Sequence, residues 1–141
     1  MEQIHYQPLF PNQYYHIYNR CNNSENLFYN EENYSFFLRK YDYYLSDYLD
    51  TYAYCLLPNH FHLLVKVKRL EIFKLSTFLK LGKTLEDPSQ IVSEAFRRFF
   101  MSYSKAINKQ SNRTGSLFQK NFKRKLIEDK GYLLTCAKYI H

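Results

Sequence analysis

The 141-residue sequence has no tryptophan, three glycines, four prolines and three cysteines. So few glycines and prolines exclude a collagen-like or linker-rich chain, and no internal repeat or low-complexity stretch appears. Cys21, Cys55 and Cys136 are odd in number and widely spaced, which fits neither a disulfide framework nor a zinc knuckle. All three read as reduced thiols, Cys55 and Cys136 as packing residues. No run of about 18 apolar residues is present, so no membrane-spanning helix is expected. The first residues lack the basic-then-apolar order of a secretion signal, and a cytoplasmic protein is the expectation. Acidic residues are also few: 13 against 20 lysines and arginines, a formal charge of +7. That balance favours an anionic partner, and nucleic acid is the common one for a small basic protein.

What the chain has in plenty is aromatic rings, 15 tyrosines and 12 phenylalanines. Most are expected to serve as half-buried strand and helix residues. The length suits one domain spanning 1–141. Tyr14 to Asn19 is rich in strand-forming rings and reads as a first strand. Asn30 is placed to cap a helix with Glu31 and Glu32 in its first turn and an apolar face of Tyr34, Phe37, Leu38, Tyr41, Leu45 and Tyr48. Tyr52–Leu57 and His60–Val67 read as two strands of a hairpin turning at Pro58-Asn59. Residues 68–87 are ambiguous, with Ile72, Leu75 and Leu79 suggesting a short helix.

A second helix is expected from Pro88, with Ile91, Ala95, Phe99, Tyr103 and Ile107 on one face and a stop before Asn112. Leu117–Ile127 reads as another strand. Asp129 is placed to cap a last helix carrying Tyr132, Leu133, Cys136, Tyr139 and Ile140. The order β, α, β, β, α, β, α predicts an α+β, ferredoxin-like split βαβ fold: an antiparallel sheet with helices on one face and an added C-terminal helix.

His60 and His62 are two apart in a strand, so their side chains share a face with Cα atoms about 6.6 Å apart. Two imidazoles so placed can hold one metal ion, and Phe61, Leu63 and Val65 then line the opposite, apolar face. Alone the spacing is a weak signal, since five histidines in 141 residues produce it readily by chance. From Arg97 to Lys125 there are nine basic residues and no acidic one. Arg97, Arg98, Lys105, Arg113, Lys120, Lys123, Arg124 and Lys125 are therefore the candidate nucleic-acid-binding residues, with Lys109 among them in sequence. Tyr103, Phe118 and Phe122 are candidates for stacking on unpaired bases, Phe122 fitting better as the buried half of an amphipathic element. The ordinary alternative for the charges is a solvated face.

The string Leu56-Leu57-Pro58-Asn59-His60-Phe61-His62-Leu63-Leu64-Val65 resembles the signature of the small single-tyrosine HUH transposases, in particular the REP-associated tyrosine transposases. Three more stretches agree in order: Tyr15 to Arg20, Gly115 to Lys123, and Tyr132 through Lys138-Tyr139-Ile140-His141. The likeness spans nearly the whole chain, with 68–87 matched least. It implies a divalent ion, Mg²⁺ or Mn²⁺, on His60 and His62, and Tyr139 as the nucleophile, with Tyr132 on nearly the same helical face as its rival. The implied activity is nicking and strand transfer on single-stranded or hairpin DNA through a 5′-phosphotyrosine intermediate.

Relatives act as monomers or as dimers that exchange the tyrosine helix, so a homodimer is within the implied range. Members of the family have a further polar metal ligand near what would be position 143, beyond His141, so a truncated C-terminus is one expectation. Competing readings are a hairpin-binding protein of the same descent without nicking activity and a ferredoxin-like RNA-binding module with an incidental H-x-H. A two-histidine phosphoesterase would need a second separated histidine motif, and His5 and His16 offer none.

Overall fold

The computed structural model describes residues 7–69, 88–129 and 131. Among them run β1 (Tyr14–Arg20), α1 (Glu31–Leu45), β2 (Leu49–Leu57), β3 (His60–Val67), α2 (Pro88–Gln110) and β4 (Lys123–Ile127). The strands form one antiparallel sheet in the order β2-β3-β1-β4. β3 lies between β1 and β2, and β1 between β3 and β4, so each helical crossover skips one strand. This is the ferredoxin-like split βαβ arrangement expected. None of the helices among the described residues is long and apolar enough to cross a membrane.

Both helices pack on one face of the sheet. α1 starts where the sequence indicates: Asn30 Oδ1 accepts from the Asn33 amide at 3.0 Å, and Glu31 and Glu32 sit in the first turn. Its buried side chains Phe37, Tyr41 and Leu45 recur at helical spacing. Phe37 stands 5.5 Å from Phe61 of β3 and 4.9 Å from Phe99 of α2, centroid to centroid, so three elements meet in one aromatic cluster. Asn33 is a buried polar residue in this layer. Its two amide atoms are satisfied by the Tyr29 amide and by Gln110 Oε1.

Three expectations need correction. α1 ends at Leu45, so Tyr48 is not on its face; it lies in the following turn, still buried, and β2 begins earlier, at Leu49. The predicted strand Leu117–Ile127 shrinks to Lys123–Ile127. Asn121 adopts φ 62°, a left-handed conformation that breaks the extended run, and only a lone bridge joins Phe118 to Cys21. Residues 117–119 are instead pinned beside the end of β1, where the Leu117 carbonyl accepts from the Asn22 amide and the Arg20 carbonyl from the Gln119 amide. The stop of α2 falls as expected: Asn112 takes φ 52°, the left-handed conformation that commonly follows the end of a helix. The suggested helix at Ile72, Leu75 and Leu79 lies outside the described residues, as does the C-terminal helix with Tyr132, Cys136 and Tyr139. At its expected cap, Asp129 Oδ1 accepts from the Gly131 amide at 2.9 Å.

The hairpin turn that precedes His60 is tied to the core. The Pro58 carbonyl accepts from the Leu27 and Phe28 amides, and the Asn59 carbonyl from the Cys21 amide. Leu27 is in turn held by the buried Tyr103 hydroxyl, which donates to its carbonyl at 2.6 Å. Tyr103→Phe should therefore orphan a buried carbonyl and lower unfolding free energy by about 1–3 kcal/mol in urea denaturation. An unchanged midpoint would show that this bond does not anchor the loop.

Candidate functional site

The site is built by strand register. His62 lies opposite Tyr18 and His60 opposite Arg20, while Lys123 of β4 lies opposite Tyr18 and Lys125 opposite His16. Alternation then places His16, Tyr18, Arg20, His60, His62, Lys123 and Lys125 on the face away from α1 and α2. On the other face Phe61, Leu63 and Val65 are fully buried, as the sequence predicts.

The rings form one array. His60 and His62 are edge-to-face with centroids 5.2 Å apart. His62 stacks on His16 at 5.1 Å and on Tyr18 at 5.7 Å. Each metal candidate has its Nδ1 already engaged: His60 Nδ1 donates to Asn59 Oδ1 at 2.7 Å, and His62 Nδ1 is hydrogen-bonded to His16 Nε2 at 2.9 Å. A ring so fixed can present only Nε2 to a cation, which is the outer-partner arrangement typical of metal-binding histidines. Among the described residues no group of three or more His, Cys, Asp or Glu converges as a metal cluster, so the donors here are a pair.

His16 was not among the sequence candidates. Its signal is the alternation His16-x-Tyr18-x-Arg20 in a strand that becomes the neighbour of β3, and that adjacency is invisible before the topology is known.

All three imidazoles are held neutral. Burial is the main cause in each case; His60 and Arg20 add to it for His62, and Arg20 for His60. His16 is pushed furthest, to about 4, by burial and then by the charges of His62 and Lys125. Lys123, 5.9 Å above the Tyr18 ring, is also lowered, by burial and by Arg20.

The basic run from Arg97 to Lys125 does not form one surface. Lys123 and Lys125 join the histidine face. Arg97 and Arg98 of α2 share Glu94, at 2.6 and 3.4 Å. Arg113 is bound to Glu25, 3.1 Å away, and its Nη1 donates to Asn108 Oδ1, so it fastens a loop. Lys105 and Lys120 rim a groove between α2 and the 116–122 loop. Arg124 is 8% exposed, with its guanidinium 3.9 Å from the Phe122 centroid, which removes it from any outward backbone-binding surface. Of the proposed stacking rings, Tyr103 is fully buried, and Phe118 and Phe122, which line that groove, are nearly so. Tyr139 lies outside the described residues.

No protein-family model and no curated protein matches the sequence. In three dimensions the chain is similar to a REP-associated tyrosine transposase bound to a REP hairpin. The TM-score is 0.67 over 99% of this chain and 70% of that one, at 13% identity. At that identity the likeness is one of fold. The His60–His62 strand of this chain lies between β2 and β1 in the sheet.

The neutral histidines have a consequence for stability. His16 titrates at about 4 when folded and near 6.5 when unfolded, so the unfolded chain binds more protons between those values. Stability is complete above pH 6.5 and declines as pH falls towards 4, with His60 and His62 acting in the same direction. Denaturation midpoints measured across this range should fall in the wild type and fall less in His16→Gln. Equal slopes in the two proteins would rule out His16 as a source of the acid sensitivity.

Proposed function

We propose that the chain is a metal-dependent single-strand DNA nicking and strand-transfer enzyme, with His60 and His62 as metal ligands and Tyr139 as nucleophile. The observation that carries this reading is the imidazole pair on the helix-free face, its Nδ1 atoms engaged by Asn59 and His16, with Lys123, Lys125 and Arg20 around it. The fold shared with a hairpin-bound transposase supports the same class of partner. The donor set fits a divalent ion as two of its ligands, and neutral nitrogens suit Mn²⁺ better than the oxygen-preferring Mg²⁺.

Bound there, such an ion would supply positive charge to the non-bridging oxygens of a phosphodiester. The protein's own groups do the rest. Lys123, Lys125 and Arg20 attract and orient the backbone by charge. Neutral His60 and His62 keep lone pairs for coordination because burial and Arg20 disfavour their protonation. The Tyr139 hydroxyl must give up its proton to attack phosphorus. The new P–O bond to tyrosine forms as the bond to the 3′ oxygen breaks, and that oxygen leaves with a proton as a free 3′-hydroxyl. The 5′-phosphotyrosine link conserves the bond, so reversal by another 3′-hydroxyl completes strand transfer without ATP.

Incubation with a labelled hairpin carrying single-stranded flanks and Mn²⁺, resolved on a denaturing gel, should give a covalent protein–DNA adduct. Tyr139→Phe and His60→Ala should abolish it. An adduct lost in Tyr132→Phe but kept in Tyr139→Phe would identify the wrong tyrosine. Tight hairpin binding with no adduct under any metal would favour a binding protein of the same descent.

The outer partner makes a separate prediction. Asn59→Ala frees the His60 ring to rotate and should weaken Mn²⁺ binding about tenfold, read by titration calorimetry. Unchanged affinity would mean that His60 is not a ligand or that its ring needs no support.

A further inference from the structure

The bond between His16 and His62 leaves a choice that the bond at His60 does not. Asn59 meets His60 with a carbonyl oxygen, which can only accept, so the His60 proton stands on Nδ1. His16 meets His62 with an imidazole nitrogen, which accepts or donates according to its tautomer. When His62 Nδ1 donates, its Nε2 keeps the lone pair that a cation needs. When His16 Nε2 donates, the His62 proton stands on Nε2 and that atom cannot coordinate.

The geometry of the pair is fixed from two directions. Register puts His16 opposite Leu64 and His62 opposite Tyr18, so the two histidines are diagonal neighbours on the helix-free face. Their nitrogens are 2.9 Å apart and their ring planes differ by 27°, which keeps the N–H and the lone pair close to both planes, where the bond is strongest. Tyr18 lies against both rings, 4.7 Å from His16 and 5.7 Å from His62, and resists rotation of either.

Packing alone does not call for a histidine at this position. Two residues earlier on the same face, Tyr14 packs against Ala53, Leu64 and Ile127, and Leu64 is also the residue opposite His16. An apolar side chain at 16 would extend that patch. The imidazole ends it instead and turns a nitrogen to His62.

We propose that His16 is a positioning residue for the metal site: with its own proton on Nδ1, it accepts from His62 Nδ1 and so holds His62 in the tautomer that coordinates through Nε2. The inference rests on the metal-dependent reading above and deepens it, assigning His62 a tautomer and naming the residue that selects it. The selection operates between neutral rings, so it does not require His16 to change charge.

The test combines two measurements at about pH 8, where an ordinary histidine is neutral. Nitrogen NMR of the metal-free protein, labelled with nitrogen-15 in its histidines, shows which ring nitrogen of His62 carries the proton; His62→Gln identifies the signal by its loss. Titration calorimetry with Mn²⁺ gives the affinity. His62 in the wild type should carry its proton on Nδ1. His16→Leu, which fills similar space without an acceptor, should spread His62 over both tautomers and weaken Mn²⁺ binding about tenfold. His16→Gln, whose amide oxygen can stand in for the Nε2 acceptor, should restore the tautomer and most of the affinity, a rescue that a merely structural role would not give.

A wild-type His62 protonated on Nε2 overturns the proposal before any variant is made, so a His16→Leu chain that failed to fold would not shelter it. It also falls if His16→Leu leaves the tautomer unchanged, or if His16→Gln behaves like His16→Leu. The two readings fail separately. A tautomer set by His16 with no Mn²⁺ uptake in the wild type removes the metal and keeps the tautomer assignment; Mn²⁺ uptake equal in wild type, His16→Leu and His16→Gln keeps the metal and removes the role of His16.

Discussion

The pairing of β1 with β3 is the constraint on which the rest of the molecule depends. Tyr15, Ile17, Phe61, Leu63 and Val65 are all fully buried on the helix face, and each contributes about 1.5–3 kcal/mol by leaving water. A slip of one residue in either strand would turn that strand's apolar set outward and its histidines inward. The sum of those burials far exceeds anything the imidazole contacts supply. The histidine array is therefore held by hydrophobic energy from the opposite side of the sheet, and its own hydrogen bonds only choose which ring nitrogen faces outward.

The hairpin turn adds a second level of fixation. Pro58 and Asn59 accept from the backbone of 21–28, and Tyr103 of α2 reaches that segment through Leu27. His60 starts its strand directly after this turn, so its ring is placed by a chain of bonds that ends in the helical layer. Asn59 belongs to both systems: its backbone secures the turn and its side chain orients the His60 ring. The Pro-Asn-His spacing thus joins a structural and a chemical requirement in three residues.

Much of this was legible in advance because it depends on periodicity. Alternation in His60–Val67 gave the two faces of β3, and the 3.6-residue recurrence from Pro88 gave the buried side of α2 down to Ile107. Failures came where one residue outweighs a pattern. Asn121, in a left-handed conformation, divides what reads as a continuous strand from Leu117. His16 was missed because its value lies in a neighbour 46 residues away, and sequence separation carries no register.

The basic run shows why charge in sequence is a poor guide to charge in space. Read linearly, 97–125 contains no acid, but the relevant carboxylates lie just outside it: Glu94 one turn before Arg97, and Glu25 brought to Arg113 by the fold. Within β4, alternation alone separates Lys123 and Lys125 from Arg124, sending two charges to the histidine face and one into the core. A solvated surface would have no use for that inward arginine, and a purely apolar core would exclude it. It is held there by the Phe122 ring beneath its guanidinium and by Nη1, which donates to Ser93 Oγ at 3.1 Å. The pair β1–β4 thus carries Lys123 and Lys125 on the histidine face and the buried Asn19 and Arg124 on the helix face.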